Sequence, residues 1–354
     1  MSIRWEFHAA SAFPTLAGRW DALNQRAGNL PFQDSRFIGP LLKHFGDGKQ
    51  LIALATNGAD TVAGGILQPG GLGRWTSFQP SQMPLGPWLA SAAGWQDADL
   101  LPALARSLPG FCAQLGLTQL DPHILVRPQD GANHDSLDYI QTAWVDIDSD
   151  FDTYWNARGK NLRTNMRKQR TKLETDGVQI GFQTLTATTD VEAALTEYGR
   201  LESAGWKAGA GTAVAADNAQ GRFYTEMMQA FCADGRGKIW RLMFDDKVVA
   251  VDLCIEAGDT LVVLKTAYDP EFKSVSPAFI LRQDAFKELF DAGKIRRIEF
   301  YGRLMEWHTR WTENSRTLYH HNHYRWALVK TLKQRLRPAP GVTEGDAEST
   351  SSAH

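Results

Sequence analysis

A strand that runs into a helix start is the first feature of the sequence with chemical potential. The run Thr260–Tyr268 is rich in β-branched residues and ends at a loop that carries Lys273. Ser276 and Pro277 then suit the cap and the first position of a helix. The amide groups of a helix start can hold a phosphate, and Lys273 adds a positive charge. A well-capped helix without a ligand is the alternative, and this stretch alone does not decide between the two.

Glu202 is the first candidate for a base or an anchor for an amine. It lies near the end of a predicted helix, Asp190–Ala204, just before Trp206 and Lys207. A carboxylate at a helix end beside an aromatic ring can have a raised pKa. Lys207 suits a carboxylate or phosphate of a substrate. A surface glutamate and a solvated lysine are the alternatives.

Histidines form a second group of candidates. His308 lies in the loop after the strand that carries Glu299, and a histidine titrates near neutral pH. Three further histidines alternate along Leu318–Tyr324 without a carboxylate or cysteine partner, namely His320, His321 and His323. We therefore expect no metal site.

The two halves of the chain repeat one order of elements. The second half has a helix that opens at Arg222, followed by strands Lys238–Phe244, Lys247–Glu256 and Thr260–Tyr268, helix Ser276–Asp291 and strand Arg296–Phe300. The first half has a helix that opens at Arg36, followed by strands Gln50–Thr56, Thr61–Leu67 and Trp75–Phe78, helix Leu100–Leu115 and strand Thr118–Leu125. This repetition predicts a duplicated α/β (α+β) fold of two lobes, each a mixed twisted sheet flanked by helices.

Length and composition set the wider expectations. A chain of 354 residues favours two domains, which we place at residues 1–148 and 149–337. The stretch 338–354, rich in Pro, Gly, Ser, Thr and Glu, is typical of a disordered tail. A net charge of −2 demands neither DNA nor an anionic membrane as a partner.

The cysteines and the hydropathy indicate the compartment. Three cysteines lie far apart in apolar runs, which is typical of buried reduced thiols: Cys112, Cys232 and Cys254. No run approaches the roughly 18 apolar residues of a membrane helix. We expect a cytoplasmic protein without a membrane span.

Four segments, in this order and spacing, resemble the CelD-like (BioF2-like) acyltransferase family of the GNAT superfamily, a relative of the FemABX peptidyltransferases. The segments are Gly159–Arg170, Glu202–Thr212 with its Glu-x-x-x-Trp-Lys, Ala267–Leu281 with its Ser-Pro, and Gly302–Trp311. The resemblance covers about Phe151–His321 well, and the first lobe only in its layout. Its motifs are specific in combination and weak one by one.

The resemblance implies two tandem GNAT-like lobes and a transfer of an acyl group from acetyl-CoA or another acyl-CoA to an amine. The donor would lie along strand Leu261–Tyr268, where splayed strands leave backbone groups free, and its pyrophosphate would meet the turn at 273–278. The implied donor-binding residues are Lys265, Ala267, Lys273, Ser274, Ser276 and Ala278. Members of the family are associated with exopolysaccharide or envelope synthesis, which implies a small or saccharide-linked amine as acceptor.

Two departures from the family pattern affect these expectations. Ala278 replaces the usual Gly after Ser-Pro, which makes a close approach of phosphate less certain. Trp307 and His308 replace a Tyr-Lys pair, so that lysine's role has no equivalent here.

Acylation of an amine by a thioester needs a proton acceptor, donors to an oxyanion and close positioning of two substrates. We therefore assign Glu202, Tyr268 and His308 as catalytic candidates, with Tyr268 or Tyr301 as a source of the proton for the departing thiolate. The candidates for binding the acceptor are Arg163, Arg167, Trp206, Lys207 and Tyr301.

The basic run from Arg158 to Lys172 leaves several partners open. Arg163 and Arg167 lie on one helical face, and a solvated face is the default for such a run. The functional alternatives are the 3′-phosphate of CoA, an anionic acceptor or tRNA. Two other functions therefore stay open, which are aminoacyl transfer from charged tRNA and a non-catalytic binding role in an envelope pathway.

Overall fold

The computed structural model describes residues 3–204 and 214–336. Its strands are β1 (Arg4–Ala9), β2 (Leu51–Asn57), β3 (Asp60–Pro69), β4 (Arg74–Ser77), β5 (Trp88–Ala90), β6 (Gln114–Leu120), β7 (His134–Asp146), β8 (Ile180–Leu185), β9 (Gly237–Phe244), β10 (Lys247–Ala257), β11 (Thr260–Tyr268), β12 (Arg297–Glu299) and β13 (Ser315–Tyr324). Its helices are α1 (Phe13–Arg26), α2 (Ser35–Phe45), α3 (Ala92–Gln96), α4 (Leu100–Ser107), α5 (Phe151–Ala157), α6 (Lys160–Thr175), α7 (Val191–Ala204), α8 (Ala219–Ala233), α9 (Pro277–Ala292), α10 (Glu306–Thr309) and α11 (Ala327–Leu336).

The strands of the described residues form one mixed sheet with an internal two-fold pattern. Their order is β1-β2-β3-β4-β6-β13-β7-β12-β11-β10-β9-β8, with β5 paired beside β3. At each edge of the sheet, four consecutive strands pair in antiparallel fashion, β1 to β4 at one edge and β8 to β11 at the other. The fourth strand then forms a parallel pair with the next one, β4 with β6 and β11 with β12. The repeated order that the sequence predicts is therefore present in the sheet.

Each half of the sheet ends with a strand from the other half of the chain. Strand β13, near the end of the chain, pairs with β6, whereas β7 pairs with β12. The two exchanged strands also pair with each other, from Ser315 with Ala143 to His323 with His134. This central ladder joins the lobes through backbone hydrogen bonds, while the division at residues 148 and 149 stays a prediction.

The two faces of the sheet carry different helices. Helices α1, α2, α7 and α8 cover one face, where Phe37 of α2 and Phe223 of α8 meet edge to face with ring centroids 5.3 Å apart. On the other face, α5, α6 and α9 cover the second lobe around the buried Trp311. Helix α4 covers the first lobe there. The two faces of β11 therefore meet different environments, which matters for the direction of each of its side chains.

The elements of the second lobe follow the sequence prediction closely, but two elements of the first lobe do not. The predicted helix Leu100–Leu115 ends at Ser107, because Pro109 and Gly110 follow and Gly110 has a φ of +77°. The strand then begins at Gln114 instead of Thr118 and ends at Leu120. The apolar residues beyond Asp121 that suggested a longer strand belong to a turn instead.

Three further features concern the sequence expectations. All three cysteines are buried and unpaired. In residues 3–204 and 214–336, no helix is long and apolar enough to cross a membrane. Within the same ranges, no group of three or more histidine, cysteine or acidic side chains is arranged to hold a metal ion.

Candidate functional site

Strand β11 presents an open edge at the centre of the second lobe. It pairs with β12 at only three positions, Thr260 to Val262. The chain after β12 turns away, because the Phe300 N–H donates to the carbonyl of Ala143 in β7. In the described residues no strand pairs with this side of Val263–Tyr268, which we call the open edge. Such an edge offers backbone hydrogen-bonding groups to an extended ligand.

The corresponding opening in the first lobe is filled by the chain itself. Strands β4 and β6 also pair at only three positions. Beyond them, the Gly86 N–H donates to the carbonyl of Gln119 at 3.2 Å, and the Thr118 hydroxyl donates to Gln79 Oε1 at 2.8 Å. A Cβ on Gly86 would lie 2.2 Å from the carbonyl oxygen of Thr118. The chain itself therefore occupies the edge of β6 that corresponds to the opening in the second lobe.

A bulge in β11 sets the direction of Lys265. The ladder with β10 pairs Leu253 with Lys265 and Cys254 with Val263, so Leu264 is an extra residue. A bulge of this kind re-aims the side chains on the bulged strand. Leu264 and Lys265 consequently both point to the face covered by α7 and α8. There the Lys265 ammonium lies 3.8 Å from Glu202 Oε1 and 5.5 Å from the ring centre of Tyr224.

Glu202 is a buried carboxylate on the last turn of α7, with 9% of its surface exposed. It accepts hydrogen bonds from the Tyr198 hydroxyl at 3.2 Å and from the Val214 N–H at 2.8 Å. Burial and the charge of Glu202 hold the pKa of Tyr198 well above its ordinary value, so this hydroxyl keeps its proton. The carboxylate is thus fixed in place beside Lys265 and is not the surface glutamate of the alternative interpretation.

A cavity of about 440 Å³ lies between the lobes at the start of the open edge. We call it the interlobe cavity. The second lobe contributes Tyr224, Val262, Leu264, Lys265, Phe300, Tyr301, Gly302 and Arg303. The first lobe and β7 contribute Gln79, Pro80, Ser81, Gln82, Met83, Pro84, Gln119, Tyr139 and Ile140. The segment that fills the first lobe's opening is therefore also a wall of the interlobe cavity.

A larger cleft of about 1010 Å³ lies between α2, α7 and α8. Its described lining includes Arg200, Ser203 and Val214 but no residue of β11 or β12. Because the open edge does not reach this cleft, the interlobe cavity is the better candidate for the place where two substrates meet.

A buried cluster of charges fixes the floor of the interlobe cavity. Arg316 Nη2 donates to Asp121 at 2.6 Å and to Glu299 at 2.9 Å, and the Tyr301 hydroxyl donates to Asp121 at 3.0 Å. Burial raises the pKa of Glu299 to about 7, and the positive charge of Arg316 opposes the rise. Tyr301 adopts a φ of +51°, an uncommon value for a non-glycine residue. Because the Tyr301 hydroxyl donates to Asp121, the ring of Tyr301 is the part that contacts the cavity.

The turn before α9 has the sequence-predicted position but a different capping arrangement. Ser276 precedes the first helical residue, Pro277, in a left-handed conformation, and its side chain does not cap the helix. Its hydroxyl instead accepts a hydrogen bond from Gln169 of α6 at 3.1 Å. Its carbonyl accepts the N–H groups of Phe279 and Ile280. Since proline has no N–H, the amide of Ala278 is the one at this helix start without a protein partner among the described residues.

The remaining donor-side candidates lie around this turn and along β11. Lys273 is partly exposed and Ser274 is exposed. Ala267 is buried on the face of α7 and α8, whereas Tyr268 packs against the core under α9. Tyr268 and Glu202 therefore lie on opposite faces of the sheet.

His308 is a buried structural histidine in this arrangement. Its Nδ1 accepts the Met305 N–H at 2.9 Å, and its ring stacks on Trp307. Burial, followed by the charge of Arg282, lowers the pKa of His308 to about 3, so the ring is neutral. It belongs to the α9 face together with Phe300, away from Glu202. This placement gives no support to a role in proton transfer, which stays a prediction.

The proposed acceptor-binding residues are dispersed. Arg163 donates to the carbonyl of Arg158, whereas Arg167 is exposed and has no ion pair within the described ranges. Tyr301 is the member that reaches the interlobe cavity. Trp206 and Lys207 lie outside the described residues.

Several cavity residues were not predicted from the sequence. Tyr224 follows Phe223 in a helix whose spacing indicates core packing, and burial raises its pKa so that it stays protonated. Gln79 and Gln119 belong to the first lobe, where no motif marks them. The repeated order of the two halves is the available signal, because it gives β4 and β11 equivalent places in the two lobes.

The sequence comparison gives the class of the second lobe. A family model described as an acetyltransferase (GNAT) domain matches residues 160–309, less than half of the 354 residues. The match runs from α6 to α10 and includes the open edge of β11. This segment is therefore a GNAT-type acetyltransferase domain, and such a domain implies acyltransferase activity. No curated protein matches the sequence.

Solved structures share the fold of the whole chain. The C-terminal domain (DUF2156) of a putative lysylphosphatidylglycerol synthetase from Agrobacterium fabrum has a TM-score of 0.57 at 14% identity, covering 93% of this chain and 99% of that chain. FemX has a TM-score of 0.57 at 8% identity, covering 90% and 98%. A conserved protein of unknown function from Bacteroides thetaiotaomicron has a TM-score of 0.51 at 9% identity, covering 91% and 100%. The expected mixed α/β fold, with its repeated order of strands in one sheet, is confirmed.

Proposed function

We propose that this protein is an acyl-CoA-dependent N-acyltransferase whose donor binds along the open edge of β11 and whose acceptor enters the interlobe cavity. The single observation that carries the proposal is that Lys265 belongs both to the open edge of β11 and to the lining of the interlobe cavity. The GNAT-type match of residues 160–309 supports the class of reaction. The proposal assigns residues 149–337 to the catalytic lobe and residues 1–148 to a lobe that no longer binds a donor.

The donor would run from the interlobe cavity towards the turn before α9. Backbone groups of Val263–Tyr268 suit the amides of a pantetheine arm, as in the addition of a strand to a sheet. The Ala278 amide and the ammonium of Lys273 suit the pyrophosphate. Exposed cations of α6, Arg167 and Lys168, lie on the helix that contacts this turn through Gln169, and they suit the 3′-phosphate.

The chemistry requires removal of a proton from the amine and protonation of a thiolate. The amine nitrogen attacks the thioester carbonyl, a C–N bond forms, and the C–S bond breaks. We assign Glu202 as the acceptor of the amine's proton through one bridging water, because the carboxylate lies behind Lys265 and not in the cavity wall. Tyr224, which is protonated and lines the cavity, is placed to supply a proton to the thiolate.

The acceptor is proposed to be a small polar or saccharide-linked amine. Glutamine, serine and tyrosine side chains from the first lobe line the interlobe cavity, including Gln79, Gln82 and Gln119. Amide and hydroxyl groups suit hydroxyls and amides of a sugar-like molecule. The resemblance to CelD-like proteins agrees with an amine from exopolysaccharide or envelope synthesis. We place the reaction in the cytoplasm, and acetyl-CoA is the proposed donor.

Calorimetry with acetyl-CoA, longer acyl-CoAs and free CoA tests the donor before any acceptor is known. We expect binding of acetyl-CoA, and a loss of about ten-fold in affinity in Lys273→Glu, because a phosphate contact becomes a repulsion. Lys49→Glu, an exposed lysine of the first lobe, is the matched control and should bind like the wild type. Equal affinity of Lys273→Glu and Lys49→Glu would show that the pyrophosphate does not meet this turn.

Aminoacyl transfer from charged tRNA is the second candidate function, and the exposed cations of α6 favour it. The shared fold with FemX agrees with either donor. A thermal shift decides between the donors, because a ligand that binds the folded state raises the melting temperature. Stabilisation by acetyl-CoA and not by tRNA supports the main proposal. Salt-sensitive retention on charged tRNA without any shift by acetyl-CoA would favour the alternative.

A further inference from the structure

The C-terminal helix and two segments of the first lobe form an exposed apolar surface. In the described part of the chain, eight large apolar side chains are exposed, and five of them lie here. They are Leu72 (106% exposed), Phe111 (58%), Trp326 (47%), Leu328 (67%) and Leu332 (49%). We call these five residues the Trp326 patch. Contiguous apolar surface of this kind marks an interaction site, whereas single exposed apolar residues are ordinary.

One ring contact and short stretches of chain bring the members of the patch together. The rings of Phe111 and Trp326 stack with centroids 5.9 Å apart. Phe111 also covers Gly73, since a Cβ on that glycine would lie 2.6 Å from the phenyl ring. Leu72 is the chain neighbour of Gly73 and is fully exposed. Leu328 and Leu332 continue the surface along α11, four residues apart on one helical face.

The helix is held on the protein by its lysines, which leaves its leucines outward. Lys330 donates to the carbonyls of Gly131 and His134, and Lys333 donates to Gln114 Oε1 at 2.9 Å. Leu328 and Leu332 are therefore not on the inner face of the helix. Their exposure follows from the way in which the helix docks.

The chain segments that carry the patch are positively charged. The segments 69–78, 102–120 and 325–336 contain six basic residues and no aspartate or glutamate: Arg74, Arg106, Arg325, Lys330, Lys333 and Arg335. The whole chain carries a net charge of −2, so this region is an exception. Arg74, Arg106 and Arg335 are exposed and have no ion pair within the described residues.

We propose that the Trp326 patch docks on the surface of an anionic lipid bilayer. Apolar side chains that project from a loop tip and a helix, with tryptophan among them and cations around them, fit the interface of such a membrane. None of the three described cavities includes a patch residue, so none of them makes the patch a concave site for a partner. The docking is peripheral and places the protein beside the membrane.

Charge argues against one other occupant of the patch, and composition argues against another. A second copy that used the same patch would bring the exposed arginines together without an acidic counterpart, and like charges oppose association. The stretch 337–354 carries acidic residues, but Val342 is its only bulky apolar residue. It cannot replace the five apolar side chains of the patch with apolar contacts of its own.

Flotation with lipid vesicles tests the proposal on the full chain. We expect binding to vesicles of phosphatidylcholine mixed with phosphatidylglycerol, weak binding to phosphatidylcholine alone, and a decrease on addition of salt. The double variant Leu72→Ser/Leu328→Ser and the variant Arg74→Glu/Arg335→Glu should each lower the partition coefficient about ten-fold or more. Val126→Ser removes an exposed apolar residue outside the patch and should bind like the wild type.

Three outcomes would overturn the proposal. The first is no binding to the anionic vesicles, or binding that both patch variants retain. The second is a dimer in light scattering that Leu72→Ser/Leu328→Ser dissociates, which would make the patch an interface between copies. The third is vesicle binding only by a chain truncated after Arg337, which would make the tail the occupant. The substituted side chains are exposed, and circular dichroism melts verify that each variant is folded.

Discussion

The ammonium group of Lys265 lies 3.8 Å from a carboxylate oxygen of Glu202, and the bulge at Leu264 is the reason. With regular alternation from Val263, Lys265 would point to the same face as Val263, towards α9. The pair joins the open edge of β11 to the end of α7, so one strand serves both the donor and the charged centre. The first lobe has no equivalent, because its own segment around Gly86 fills the opening.

Replacement of Glu202 by glutamine separates catalysis from donor binding. Since the amide cannot accept a proton, we expect kcat to fall about 100-fold. The affinity for acetyl-CoA should be unchanged, because the donor is proposed to bind backbone groups of the open edge, whereas Glu202 contacts the side chain of Lys265. Release of CoA, with the amine that gives the highest rate, measures the turnover. Glu192→Gln, an exposed position on the same helix, is the control and should keep full activity. Equal rates for the two variants would remove Glu202 from the mechanism.

Because the carboxyl group of Glu299 is buried, we expect its contribution to stability to decrease as the pH rises. Its pKa rises from 4.5 in the unfolded chain to about 7 in the folded protein. The folded state therefore binds more protons between these values, and its contribution to stability is lost as the pH rises through this window. Relative to Glu299→Gln, the wild type should lose about 2 kcal/mol of unfolding free energy between pH 5 and pH 8. Urea denaturation of both proteins at the two pH values measures the difference.

The comparison with Glu299→Gln cancels the contributions of other groups, such as the buried histidines. A parallel pH dependence of wild type and variant would mean that Glu299 titrates as it does in water. The contact of its oxygen with Arg316 would then offset the effect of burial.

Two glycines test how tightly the first lobe is filled. A Cβ on Gly86 would lie 2.2 Å from the carbonyl oxygen of Thr118, whereas Gly18 in α1 has nothing within 4 Å. We expect Gly86→Ala to destabilise the protein by about 3 kcal/mol, because backbone must move. Gly18→Ala should be neutral or stabilising by up to about 1 kcal/mol, since alanine favours a helix. Thermal denaturation compares the two, and similar melting temperatures would contradict the tight closure.

Local patterns in the sequence predict much of the second lobe. The Asp245-Asp246 and Gly258-Asp259 turns fix the meander of β9, β10 and β11, and Pro277 fixes the start of α9. The helix that carries Glu202 was predicted within a residue of its observed start, Val191. These features are local, so a short window of sequence contains what determines them.

The remainder depends on contacts between distant parts of the chain. The exchange of β7 and β13 leaves no mark in either strand, because both read as ordinary alternating strands. The bulge at Leu264 depends on register with β10, and the burial of His308 depends on Trp307 and Phe300. Net charge also conceals the basic surroundings of Trp326, since acidic residues elsewhere balance them. These features require the folded arrangement.

Hydrogen–deuterium exchange with and without acetyl-CoA tests the central claim most directly. A donor on the open edge should hydrogen-bond to backbone groups of β11 and slow exchange in peptides that cover Val263–Ala278. Peptides that cover the corresponding first-lobe segment, Arg74–Phe78, should exchange at an unchanged rate. Protection of Val263–Ala278 alone is the result that this account predicts. Binding of acetyl-CoA with no added protection there, or with protection of Arg74–Phe78 instead, would contradict it.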